Sequence, residues 1–190
     1  MIQSYLSRSA AAQATLAQNA DQHQILCKIA MLIVTSLRNG GKLLIAGNGG
    51  SASDAQHIAG EFLSRLMFDR APLAAIALTQ CGPFLTACGN DYGFDQVFAR
   101  QIEGLARPGD IFWGFSTSGN SPNILAGAQA AQKAGCTCIG FTGQDGGKMR
   151  EGFDPLFCAP SDQAQIIQQL HITAAHAVLA VVESKIFLTP

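Results

Sequence analysis

Charge is scarce in this chain. Only 13% of its 190 residues are Asp, Glu, Lys or Arg, and 12 basic against 13 acidic side chains leave a formal net charge of −1. Without a basic excess there is no field to hold nucleic acid by counterion release, so DNA and RNA are not expected partners. The chain does not open with a charged start, an apolar core and a small-residue cleavage site, and no apolar run approaches the length of a membrane span. A cytoplasmic protein without a membrane partner is therefore expected. The six cysteines, Cys27, Cys81, Cys88, Cys136, Cys138 and Cys158, contain no Cys-x-x-Cys pair. Lying mostly in apolar stretches, they are expected to be buried free thiols. Both nucleotide fingerprints are also missing, since no Gly-x-Gly-x-x-Gly occurs and no lysine follows the glycine-rich turn as a P-loop needs.

Apolar residues, at 48%, and glycines, 20 in all, are plentiful instead. The length suits one domain, residues 1–190, with a sizeable core and an N-terminal helical segment over 1–38. So little charge over so much apolar surface implies burial against other copies of the chain.

Residues 2–37 follow a helical period, as one long helix or two in series, with Asn39-Gly40-Gly41 as the stop. The polar, alanine-rich first half is expected to pack on a partner chain. Short apolar runs at 42–46, 74–78, 111–115, 137–142 and 156–159 predict strands. Helices are predicted from the first glycine turn to about Arg65, at 83–88, at 94–105, from Pro122 to Ala134 and from 162 to about 186. Gly89-Asn90-Asp91-Tyr92-Gly93 is expected to interrupt the pattern between the helices at 83–88 and 94–105, and 143–148 to form a glycine-rich loop. Alternation of this kind predicts an α/β fold: a doubly wound parallel sheet with helices on both faces, long terminal helices, and ligands at the carboxyl ends of strands.

Two loops fall at such ends. Gly47-Asn48-Gly49-Gly50-Ser51 follows the first strand, and its glycines permit positive φ and close approach of a ligand to the main chain. Ser51, Ser53 and Asp54 are candidates to cap the next helix. On that helix His57 and Glu61 are one turn apart on one face, placing titratable groups beside an anion site. The third strand opens into Ser116-Thr117-Ser118-Gly119-Asn120-Ser121-Pro122. Four hydroxyls and free N–H groups at a helix start, with no basic residue, suit a phosphate monoester better than they suit an ordinary cap.

These loops, with His57 and Glu61, Gly89-Asn90-Asp91, Asp145-Gly146-Gly147-Lys148-Met149, and Ile167-Gln168 with His171 and His176, resemble the phosphoheptose isomerases. Those enzymes belong to the sugar isomerase (SIS) domain family, and the resemblance runs in order through nearly the whole chain. It implies conversion of sedoheptulose 7-phosphate to D-glycero-D-manno-heptose 7-phosphate, an early step towards bacterial lipopolysaccharide, in a homotetramer with sites shared between subunits. It also implies that Asn48, Gly49, Gly50, Ser51, Glu61, Asn90, Asp91, Ser116, Thr117, Ser118, Ser121 and Gln168 contact the sugar phosphate. By the same resemblance His57, Glu61, Gln168 and His176 bind zinc, and Glu61 and His176 transfer protons. Gln165 stands where the family is expected to carry an aspartate facing the substrate, which puts one sugar contact and the substrate range in question.

Chemistry agrees independently, because aldose–ketose isomerisation needs a base, an acid and a group that polarises the carbonyl. Geometry raises one conflict. On a straight helix Gln168 lies about 12 Å along the axis and roughly 80° around it from His176, whereas Gln169 is within about 20°. Either Gln168 is a distant ligand or different chains contribute ligands. Two other classes share the domain: a non-catalytic relative that associates with the replication initiator DnaA, and sugar-phosphate sensors. The presence of both Glu61 and His176 favours the enzyme.

Overall fold

The computed structural model describes residues 1–188. Helices α1 (Ile2–Gln18) and α2 (Ala20–Arg38) are separate, because the Asn19 side chain accepts a hydrogen bond from the Gln22 amide at 3.1 Å and so caps α2. Then follow β1 (Leu43–Ala46), α3 (Gly50–Leu63), β2 (Ala75–Ala77), α4 (Gly82–Tyr92), α5 (Ala99–Leu105) and β3 (Ile111–Ser116). The chain continues through α6 (Pro122–Lys133), β4 (Thr137–Gly143), β5 (Leu156–Ala159) and α7 (Ala164–Glu183).

The strands form one five-stranded sheet in the order β2-β1-β3-β4-β5, every pair parallel. The order reverses between β1 and β3, and a crevice at such a switch point is where doubly wound sheets bind ligands. Period-two alternation divides the strand side chains between two cores. Leu43, Ile45, Ile111, Trp113 and Phe115 face α1, α2, α3 and α7, whereas Leu44, Ala46 and Phe112 face the layer of α4, α5 and α6. Burial of each large side chain contributes about 1.5–3 kcal/mol.

Several expectations need correction. Gly89, Asn90 and Asp91 do not break a helix: α4 runs through them and stops at Gly93, whose φ of 89° ends it. Helix α1 is not left to a partner chain, since Ala12 and Leu16 are buried in this chain's core and Ser9 and Gln13 hydrogen-bond to Gln169 and Thr173 of α7. Cys27 and Cys81 are exposed, although Cys88, Cys136 and Cys138 are buried free thiols and burial pushes Cys138 up to about 12. One segment, Ala164–Leu188, is long and apolar enough to cross a membrane by length and composition. It is nevertheless a core helix, with Ile166, Leu170, Ala174, Val178 and Val182 packed in this chain's interior.

Candidate active site at the switch point of the sheet

The first loop leaves β1 through Gly47, where a Cβ would collide with the Ser51 carbonyl. Gly49 takes φ 55°, and α3 starts on it with no side-chain cap. Ser51, Ser53 and Asp54 are therefore not caps but lie inside α3, whose first turn closes on the loop itself, the Ser51 and Ala52 amides donating to the Asn48 and Gly49 carbonyls at 3.0 Å. Asn48 does not simply face solvent. Its amide donates to Asn123 Oδ1 at 2.8 Å and accepts from Asn123 Nδ2 at 2.9 Å, and Asn123 is buried. That reciprocal pair ties the first loop to the first turn of α6. Sequence reasoning missed Asn123, for which the only signal was an amide directly after the serine loop.

In the second loop the hydroxyls turn towards one another. Ser116 Oγ lies 2.8 Å from Ser121 Oγ and 3.5 Å from Ser118 Oγ, and Ser118 Oγ accepts from the Asn120 amide at 3.2 Å. Ser121 occupies the N-cap of α6 yet makes no side-chain cap bond. The loop therefore presents converging hydroxyls above a helix start rather than spending them on the cap. The segment 143–149 braces it from behind: the Gly143 amide donates to the Thr117 carbonyl at 3.1 Å and Lys148 N to Asn120 Oδ1 at 3.0 Å.

Helices α3 and α7 pack together beside these loops and bring three predicted ligands into one cluster. His57 Nε2 is 3.3 Å from Glu61 Oε1, and the His57 and His176 rings stand edge to face with centroids 5.1 Å apart. One ligand atom from each of His57, Glu61 and His176 lies within 4.8 Å of the others. His176 Nε2 is buried and has no hydrogen-bond partner among the described residues. Donors about 2.0–2.2 Å from a zinc ion stand roughly 3–4 Å apart, so two imidazoles and a carboxylate at this spacing fit such an ion with a small contraction. All three belong to one chain, so no second chain is needed to assemble them.

The glutamine conflict also has an answer in packing. Gln169 is turned away, its amide bonded to Ser9 at 2.6 Å and to Tyr5 at 3.1 Å on α1. Gln168 lies instead over the start of α3, where a Cβ on Gly50 would come within 2.6 Å of Gln168 Oε1. Gly50 is thus small because Gln168 covers it. Gln165 is exposed on α7. Asn90 donates to Asp91 at 2.8 Å, both exposed, and no described hydrogen bond joins them to either loop. His171 is a core residue: fully buried, it donates to the Thr142 carbonyl at 3.1 Å between Phe115, Phe141 and Phe157. Burial lowers its pKa to about 4 against the opposing effect of that hydrogen bond. Asp54, one turn before His57, was missed as a member of the site. Burial pushes its carboxyl up to about 6, with His57 pulling the other way, and its Oδ2 has no partner among the described residues.

Residues 5–143 match the SIS domain family. The chain belongs to the SIS domain family. A phosphoheptose isomerase of Bradyrhizobium sp. is 52% identical over 184 residues, spanning 97% of this chain and 93% of the relative. The structure of the phosphoheptose isomerase of Neisseria gonorrhoeae superposes with a TM-score of 0.89 at 38% identity, covering 96% of this chain and 97% of that one. That from Francisella tularensis gives a TM-score of 0.91 at 34% identity, covering 96% of both. This SIS domain is a sugar phosphate isomerase of the aldose–ketose type, acting on a phosphorylated sugar.

Proposed function

We propose that this SIS-domain isomerase converts sedoheptulose 7-phosphate to D-glycero-D-manno-heptose 7-phosphate in the cytoplasm, supplying heptose for lipopolysaccharide. The observation that carries the reading is the buried, unpartnered Nε2 of His176 beside His57 and Glu61, at the same edge of the sheet as a loop of converging hydroxyls. The relatives named phosphoheptose isomerase support the substrate.

In this reading Ser116, Thr117, Ser118 and Ser121, at the positive end of the α6 dipole, receive the phosphate. Asn48, Gly49, Gly50 and Ser51 line the sugar from the first loop, and Asn90 and Asp91 approach it from the end of α4. His57, Glu61 and His176 would hold a zinc ion, with Gln168 as a further proposed ligand. When bound, zinc supplies polarisation of the substrate carbonyl. Glu61 takes the proton from C1, the C–H electrons form the C1=C2 bond of an enediol, and His176 gives a proton to the former carbonyl oxygen. His176 then takes the O1 proton as the C1 carbonyl forms, and the protonated Glu61, which exchanges with solvent, delivers a proton to C2. A homotetramer with neighbouring subunits completing each site is the assembly proposed with it.

Incubation of metal-loaded protein with sedoheptulose 7-phosphate in heavy water is the test. The expected result is the aldose phosphate carrying deuterium at C2. Absence of both product and exchange from a folded, metal-loaded sample overturns the assignment.

A further inference from the structure

Among the described residues Arg70 and Glu183 form the most deeply buried ion pair, Nε to Oε1 2.8 Å with side chains 1% and 0% exposed. Neither belongs to the site above. Arg70 uses its whole fork: Nη1 donates to the Phe62 carbonyl at 2.7 Å and Nη2 to the Glu61 carbonyl at 2.8 Å. These are carbonyls in the last turn of α3, which lack helical partners. Glu183, at the end of α7, accepts from the amides of Leu66 and Met67 at 2.8 and 2.9 Å, so the last turn of α7 clasps the loop that leaves α3. The Phe187 ring covers the guanidinium at 5.8 Å.

The two helices joined here are the two that carry the cluster, α3 with His57 and Glu61 and α7 with His176. One bond of the fork ends on the backbone of Glu61 itself. A buried ion pair is a weak source of stability compared with an apolar replacement, but its directed bonds can fix one geometry. We propose that Arg70 and Glu183 are positioning residues, a clamp that sets the separation of Glu61 from His176 for metal ligation and proton transfer. The inference rests on the metal-assisted isomerase reading.

The test uses Co2+ as a spectroscopic probe of the full-length protein, with Arg70→Lys, Arg70→Met and, as a remote control, Lys42→Met, which breaks the Lys42–Asp110 pair. Arg70→Lys keeps the charge opposite Glu183 but cannot fork to two carbonyls. It is expected to weaken Co2+ binding about 10-fold or more, as loss of an orienting partner does, to alter the visible Co2+ spectrum, and to lower kcat more than it raises KM. Lys42→Met is expected to lose stability while keeping wild-type Co2+ affinity. Wild-type affinity and spectrum in both Arg70 variants, or equal weakening in Lys42→Met, overturns the clamp. If Arg70→Met does not fold, Arg70→Lys decides. If the wild-type protein binds no Co2+, the metal reading falls by itself. The clamp is then read from the imidazole NMR signals of His57 and His176, which must move in Arg70→Lys and stay in Lys42→Met; unmoved signals overturn it.

Discussion

The two ends of the sheet treat buried polar groups in opposite ways. At the amino end Asp110 is buried and fully served: it accepts from Lys42 N at 3.0 Å, Lys42 Nζ at 2.5 Å and Arg107 N at 2.8 Å. At the carboxyl end His176 Nε2 and Asp54 Oδ2 are buried without partners among the described residues, and the Ser116 and Ser121 hydroxyls bond to one another. Leaving a buried polar atom unmatched costs roughly 1–3 kcal/mol, so a fold tolerates it where a ligand repays the cost. The core also leaves Trp113 Nε1, Thr142 Oγ1 and His171 Nδ1 without partners among the described residues, so it is the grouping of His176 with His57 and Glu61, beside Asp54, that distinguishes the carboxyl end.

The strongest way to break the comparison is Glu61→Gln, which removes a proposed base while keeping its shape. Steady-state kinetics should show kcat lowered by a factor on the order of 10² to 10⁴ with Tm little changed. Near-normal turnover would remove Glu61 from catalysis.

His171 sharpens it, as a core histidine satisfied on one nitrogen. Its folded pKa of about 4 lies below the ordinary 6.5, so the unfolded chain binds more protons between those values. Stability from this group is complete above about pH 6.5 and is lost as pH falls towards 4, a change of about 3 kcal/mol by linkage. Urea unfolding across that window should show this slope, and His171→Gln, which keeps a donor for the Thr142 carbonyl, should flatten it.

Lys42→Met tests the served end. Asp110 keeps two backbone donors there, so the loss should be about 2 kcal/mol of unfolding free energy with kcat unchanged. A fall in kcat at full stability would mean that the two ends are coupled. The smallest expected effect is that of Ser118→Ala, which should raise KM about 10-fold, as one hydrogen bond to a charged phosphate is lost, and leave kcat nearly intact. A loss confined to kcat would reassign the serine loop from binding to chemistry.

Much of this was legible in the residues because the signals were local. Glycines after an apolar run, hydroxyls before Pro122 and the His57 to Glu61 spacing act within a few residues, where turn sterics and helix geometry set the outcome whatever surrounds them. The run through Gly89 to Gly93 misled, because a single glycine weakens a helix without ending it, and α4 stops only where Gly93 takes positive φ.

By itself the sequence determined the parallel α/β order, the two loops at strand carboxyl ends and the family to which they belong. Tertiary structure alone decided which distant groups meet. It turned Gln169 to α1 and laid Gln168 over Gly50, paired Asn48 with Asn123 across 75 positions, and closed Arg70 on Glu183 across 113. It also left His176 Nε2 buried and unpartnered beside Glu61. The physical reason is that a helix face offers several rotational choices of nearly equal local energy, and only the packing of α7 against α1, α3 and the sheet selects among them.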